Sequence, residues 1–94
     1  MVVGVLRLRL QIAAAASLKD KRRSLRSLKD RLKNMNLAVA EVADQDKWQL
    51  ASLGIAVVSN DSAQVNAMLD QVLGLLVQFH ELDLLESETE IIQL

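Results

Sequence analysis

The residues best placed to do chemistry in this chain are cations on a regular spacing. Ser17 to Lys33, SLKDKRRSLRSLKDRLK, holds eight of the eleven Lys and Arg residues. At roughly 100° per residue, Lys29, Arg22, Lys33, Arg26, Lys19 and Arg23 fall in succession on one broad arc of a helix, interrupted only by Asp30. Such an arc suits phosphate, because ammonium and guanidinium groups neutralise a nucleic-acid backbone without reading its bases. Lys19, Lys21, Arg22 and Arg23 crowd the N-terminal half, where the helix dipole disfavours cations by roughly a few tenths of a kcal/mol each. That helix end is therefore unusually positive. The plainer reading of the same residues is a solvated basic face that keeps a small protein in solution.

Other reactive groups are few. His80 is the single histidine, expected at a helix end, where a cation is welcome at the negative pole of the dipole. Asp44 and Asp46, with Gln45 between them, could hold a hard cation, but a polar hairpin turn uses the same residues. Ser59-Asn60-Asp61 could position a ligand at a helix N-terminus; capping alone accounts for all three. Trp48 could stack on a base or anchor a partner, or it could close one end of the core with its N–H on a carbonyl. No Gly-rich phosphate loop is present, and no Ser/His/Asp set can be assembled. No catalytic, cofactor-binding or metal-binding residues follow, and an enzyme is not expected.

Composition narrows the classes further. The 94 residues suit one domain spanning 1–94, and 51% hydrophobic content suits a globular core and excludes disorder. With no proline and three glycines, long irregular loops are not expected. The absence of cysteine fits a reducing compartment, and a cytoplasmic location is expected. The net charge of −1 hides a split: residues 1–33 carry +8 and residues 34–94 carry −9. A segregated dipole of this kind permits a local basic patch on a chain that is acidic overall. Ala13 to Ala16 imitate a signal-peptide cleavage site, but Arg7 and Arg9 interrupt the apolar stretch before it, so no targeting segment is expected. No apolar run approaches the roughly 18 residues of a membrane span.

The elements that must carry these residues can be read from periodicity. Val2 to Ile12 alternates, with Leu6, Leu8, Leu10 and Ile12 on one side and Arg7, Arg9 and Gln11 on the other, as a half-buried strand does. Leu18, Leu25, Leu28, Leu32 and Met35 form the apolar stripe of the basic helix, residues 17–34. Ser17 caps it, Asp20 imitates a capping box, and Asn34 and Asn36 bracket its stop. Lys21 falls inside the leucine stripe; near the first turn it is expected to snorkel to solvent. Leu37 to Ala43 reads as a second strand and 44–47 as a turn. Leu50 to Val58, apolar almost throughout, reads as a third, central strand. A second helix follows to about Phe79 on the stripe Val65, Met68, Leu69, Val72, Leu73, Leu76 and Phe79. Gly74 inside it costs up to about 1 kcal/mol against alanine, or makes room for a neighbour. Leu84 to Leu94 is the last strand, with Glu86, Glu88 and Glu90 on one face.

The order β-α-β-β-α-β predicts an α+β, ferredoxin-like four-stranded antiparallel sheet of order 4-1-3-2 with both helices on one face. The first and last strands are then neighbours. Arg7 and Arg9 stand beside Glu86, Glu88 and Glu90 on the open face and neutralise it, each opposite pair contributing roughly 0.2–1 kcal/mol. The basic helix is left as the uncompensated positive surface. With Leu53, Ile55 and Val57 under the helices, Gly54, Ala56 and Val58 form a smooth strip on the open side. An RNA-recognition domain of the kind that stacks bases on sheet aromatics is disfavoured, because Trp48 and Phe79 are the only aromatics and neither is central.

Several stretches together resemble the YlxP-like family of small bacterial proteins, a domain of unknown function. They are MVVGVLRLRL at 1–10, SLKDKRRSLRSLKDRL at 17–32, VAEVADQDKWQLASLGIAVVSND at 39–61, and a terminal acidic strand. The resemblance covers most of the chain and implies the same ferredoxin-like topology. The family's genes often lie near those of translation initiation and ribosome maturation factors, which implies an RNA or ribosome setting without a role for any residue. The leading expectation is a non-enzymatic binding module that contacts phosphates of structured RNA through Lys19, Arg22, Arg23, Arg26, Lys29 and Lys33. The alternative is a self-associating or protein-binding domain that uses the open sheet face, with Trp48 as a partner contact.

Overall fold

The computed structural model describes residues 1–94. Its elements are β1 (Val2–Gln11), α1 (Leu18–Asn34), β2 (Ala38–Ala43), β3 (Leu50–Ser59), α2 (Ser62–Leu76) and β4 (Asp83–Gln93). The strands form one antiparallel sheet in the order β2-β3-β1-β4. This is the 4-1-3-2 arrangement that the alternation of strands and helices predicts. The two most hydrophobic strands take the centre, where each finds two neighbours for its backbone N–H and C=O groups.

The sheet has one dry side and one open side because its central strands alternate. Leu6, Leu8 and Leu10 of β1 stand beside Ile55, Leu53 and Ala51 of β3, and all six are buried. Over them lie Leu25, Leu28 and Leu32 of α1, and Val65, Leu69, Val72, Leu75 and Leu76 of α2. α1 lies against β2, and α2 against β1, β3 and β4. Gly4 of β1 lets α2 approach closely: a Cβ there would collide with the Val65 side chain. Gly74 has open space around it, so it makes room for no neighbour.

The helix ends follow the local chemistry. Ser17 Oγ accepts the N–H of Asp20 at 3.1 Å, and Asp20 Oδ2 accepts the N–H of Ala16, one residue before the cap. Asn36, at φ 62°, turns the chain out of α1 in the left-handed conformation. Asp61 caps α2 by accepting the N–H of Ala63 at 2.9 Å, while Ser59 Oγ accepts the N–H of Asp61. That capping work accounts for the Ser59-Asn60-Asp61 run.

Two irregularities matter for the surface. β2 bulges at Val42, whose methyl groups lie over Gly54 on the open face. β4 slips by one residue against β1 between Arg9 and Leu10, and beyond the slip Leu84 and Leu85 are both exposed.

Candidate nucleic-acid interface

The cationic arc of α1 points away from the sheet. Lys19, Arg22, Arg23, Arg26 and Lys33 are exposed, and Lys29 is half-buried. None of the six has a carboxylate oxygen within 4 Å; the ion pairs of the molecule involve Arg9, Lys21 and Lys47 instead. Asp30 interrupts the arc without pairing. α1 therefore offers a rod of free positive charge, about 25 Å long at 1.5 Å per residue.

The acidic residues of β4 are on the other side of the molecule. Glu88 stands opposite Arg7, Glu86 opposite Arg9 and Glu90 opposite Val5, on the open face of the sheet. The expected placement holds, but the neutralisation does not. Arg9 reaches Glu86 only at 3.9 Å, Arg7 has no ion pair, and Glu90 faces a valine. Asp44 adds a fourth carboxylate to this region, so the open face carries a surplus of negative charge. Arg7, Arg9, Ala43, Asp44, Ser52, Glu86 and Glu88 line a shallow recess there of about 290 Å³.

Lys21 corrects an expectation. It does not snorkel; it is 1% exposed, the one buried cation of the chain. Its ammonium donates to the backbone carbonyls of Asp44 at 2.7 Å and Lys47 at 2.8 Å. It also stands 2.6 Å from Glu41 Oε2, at an angle that makes the contact ionic and leaves that buried oxygen without a directed hydrogen bond. Three acceptors thus replace water around one ammonium, which is why burial is tolerable. The consequence is a clamp from the start of α1 onto the β2–β3 turn.

The turn itself is built on Asp44, at φ 60° in the left-handed region. Its carboxylate accepts the Ser52 hydroxyl at 2.7 Å, lies 3.2 Å from the Lys47 ammonium and 3.9 Å from Arg9 Nε. The Ser52 hydrogen bond, then the one from Lys47, holds the Asp44 carboxyl below its ordinary 3.8. Asp44 is thus committed within the protein and does not join Asp46 as a cation site; no group of three His, Cys, Asp or Glu comes together anywhere in the chain. Gln49 ties the far end of the turn by donating to the carbonyls of Ala13 and Ala15, both at 3.2 Å. Between these two anchors Trp48 is 54% exposed, so it does not close the core. His80 is exposed in the turn after α2.

Residues 3–89 match the family described as "Protein of unknown function (DUF503)". The chain belongs to this family. It is 38% identical over 77 residues to the "Uncharacterized protein YlxP" of Bacillus subtilis (strain 168), covering 81% of this chain and 84% of that relative. The YlxP-like resemblance carried by the four quoted stretches therefore holds. Two solved structures share the fold. The de novo designed protein Foldit4 aligns with a TM-score of 0.57 at 14% identity, over 99% of this chain and 97% of its own. The de novo designed protein LFR1 1, with a ferredoxin fold, aligns with a TM-score of 0.56 at 8% identity, over 98% and 84%. At such identities the likeness concerns fold alone.

In this DUF503 member, sequence reasoning missed the Lys21 clamp and the Asp44–Ser52 bond. The signal for the first was present: a lysine inside a leucine stripe, and a glutamate, Glu41, on the inward phase of β2 with Val39. Two inward charges of opposite sign on facing elements call for each other. Nothing in the spacing of Asp44 and Ser52 marks their contact, which joins residues eight apart across the β2–β3 turn.

Proposed function

We propose that this chain is a non-enzymatic module that binds structured RNA, in a ribosomal setting in the cytoplasm, by phosphate contacts from α1. The observation that carries the reading is the set of six unpaired cations on the outer arc of α1, with the surplus carboxylates on the opposite side of the molecule. A rod of charge without base-reading groups fits the backbone of a duplex and reads its shape. The acidic face repels a second backbone, so the RNA has one side on which to lie. The RNA and ribosomal setting is what the family resemblance implies, by association alone.

The test is a titration of a duplex RNA hairpin at several salt concentrations. With four or five phosphates neutralised, log K falls against log salt with a slope of roughly −3 to −4. Replacing Arg22, Arg26 and Lys29 by Ala flattens that slope and weakens binding by more than about tenfold at low salt. Binding that ignores salt, or that survives the triple replacement, ends this reading.

The alternative, a self-associating domain, also has one observation behind it. Val5, Ala38, Ala40, Val42 and Ala56 line an almost wholly apolar groove on the open face, and Val58 stands exposed beyond it. Two copies stacked on that face form a dimer that persists in high salt.

A further inference from the structure

We propose that Trp48 is a stacking platform for an unpaired nucleotide of the RNA whose phosphates lie on α1; the proposal rests on the RNA reading and names the kind of RNA it takes. Trp48 is the one tryptophan of the chain, and its ring is more than half exposed. Its indole N–H donates to no protein group, although a ring serving the core usually finds such a partner. An exposed aromatic ring offers a flat apolar face that any base can cover.

The backbone on both sides of the ring is fixed, and fixed to the same place. Lys47, before it, is held by its carbonyl to the buried Lys21 ammonium at 2.8 Å. Gln49, after it, accepts the N–H of Ile12 at 2.8 Å through its carbonyl and donates through its side chain to Ala13 and Ala15. Trp48 is therefore pinned between the entry to α1 and the turn that α1 clamps. Backbone already held in place loses little freedom when a ligand arrives.

The surroundings suit a nucleotide. Through Lys21 the turn that carries Trp48 is tied to the first turns of α1, where Lys19, Arg22 and Arg23 are exposed and unpaired. Beside the ring an open recess of about 600 Å³ is bounded by Gln11, Asp46, Lys47, Gln49 and Leu50. Neither the Gln11 amide nor the Asp46 carboxylate has a protein partner, which leaves donors and acceptors free for a base edge. A duplex alone hides its bases, so the ligand implied is a hairpin or duplex flanked by a single-stranded nucleotide.

Because Trp48 is the sole tryptophan, its emission reports on its own ring. The full chain is titrated with a labelled blunt RNA hairpin and with the same hairpin bearing a four-nucleotide single-stranded extension, reading anisotropy and tryptophan emission together. The expected result is that both bind, that only the extended hairpin quenches emission strongly, and that it binds about tenfold more tightly. Trp48→Ala erases that advantage and leaves the blunt hairpin within about twofold; Trp48→Phe keeps most of the advantage. Equal affinity and no quenching with the extension overturns the platform and leaves the α1 reading intact. Equal weakening of both hairpins by Trp48→Ala overturns it too, since the ring is then a general contact or a protein anchor. If neither hairpin binds, both proposals fall.

Discussion

Lys21 joins two parts of the chain that no local rule connects. Its ammonium is shut off from bulk solvent and has three protein acceptors, so removing it leaves Glu41 with a buried, uncompensated charge. Lys21→Ala is expected to cost about 3 kcal/mol, and thermal unfolding followed by circular dichroism should fall by more than about 10 °C. The double replacement Lys21→Met with Glu41→Met recovers much of that loss, because two apolar chains of similar length leave no charge behind. Asp44 gives a pH dependence. Its carboxyl is held below its ordinary 3.8 in the fold, so its stabilising effect is complete above that value and is lost as pH falls through the folded one. Asp44→Asn tolerates the left-handed backbone but loses the ionic partners. The variant should melt below the parent at pH 7, with the gap closing below about pH 4. A gap that stays constant down to pH 3 removes the ionic account.

Among the elements, two glycines separate packing from propensity. Gly4 in β1 is where Val65 of α2 sits against the sheet, and Leu69 and Val57 each come within 3.1 Å of an added Cβ. Gly4→Ala therefore pushes a buried helix outward, at a cost of about 1–3 kcal/mol. Gly74 in α2 is exposed, and an added Cβ meets nothing within 4 Å. Gly74→Ala should stabilise by up to about 1 kcal/mol through helix propensity alone. Urea unfolding of the two variants should move the midpoint in opposite directions; a Gly74→Ala variant that is destabilised would mean that α2 meets something on that face. The length, caps and apolar stripe of α1 were legible before any coordinates, because each depends on residues three or four apart. The failure of Arg7 and Arg9 to neutralise the sheet was not legible. Adjacency on a strand pair does not set side-chain distance, and Asp44 joins that face through contacts with Ser52 and Arg9 that lie beyond any local pattern.

At the scale of the whole molecule, the sheet divides the charge. The cationic arc of α1 lies on the helical side and the carboxylate surplus on the other, with an apolar groove over strands β2 and β3 on the acidic side. Light scattering at low and high salt distinguishes the uses of these surfaces. A chain that works through α1 scatters as a monomer at both. A chain that stacks on its open face scatters as a dimer, more so at high salt, which screens the carboxylates and strengthens apolar contact. No helix is long and apolar enough to cross a membrane.

The order of elements, the buried phase of each strand, the α1 arc and the split of charge along the chain were determined by the sequence on its own. These follow from periods of 2 and 3.6 that any short window contains, and the sheet order follows from the few connections such elements allow. The fate of Lys21, the exposure of Trp48, the role of each glycine and the commitment of Asp44 were decided only in three dimensions. Lys21 and the carbonyl of Asp44 are 23 residues apart, and Gly4 meets Val65 across about two thirds of the chain. Whether a lysine in an apolar stripe reaches water or a ring of carbonyls depends on what the fold brings opposite it, and that partner lies outside every local pattern.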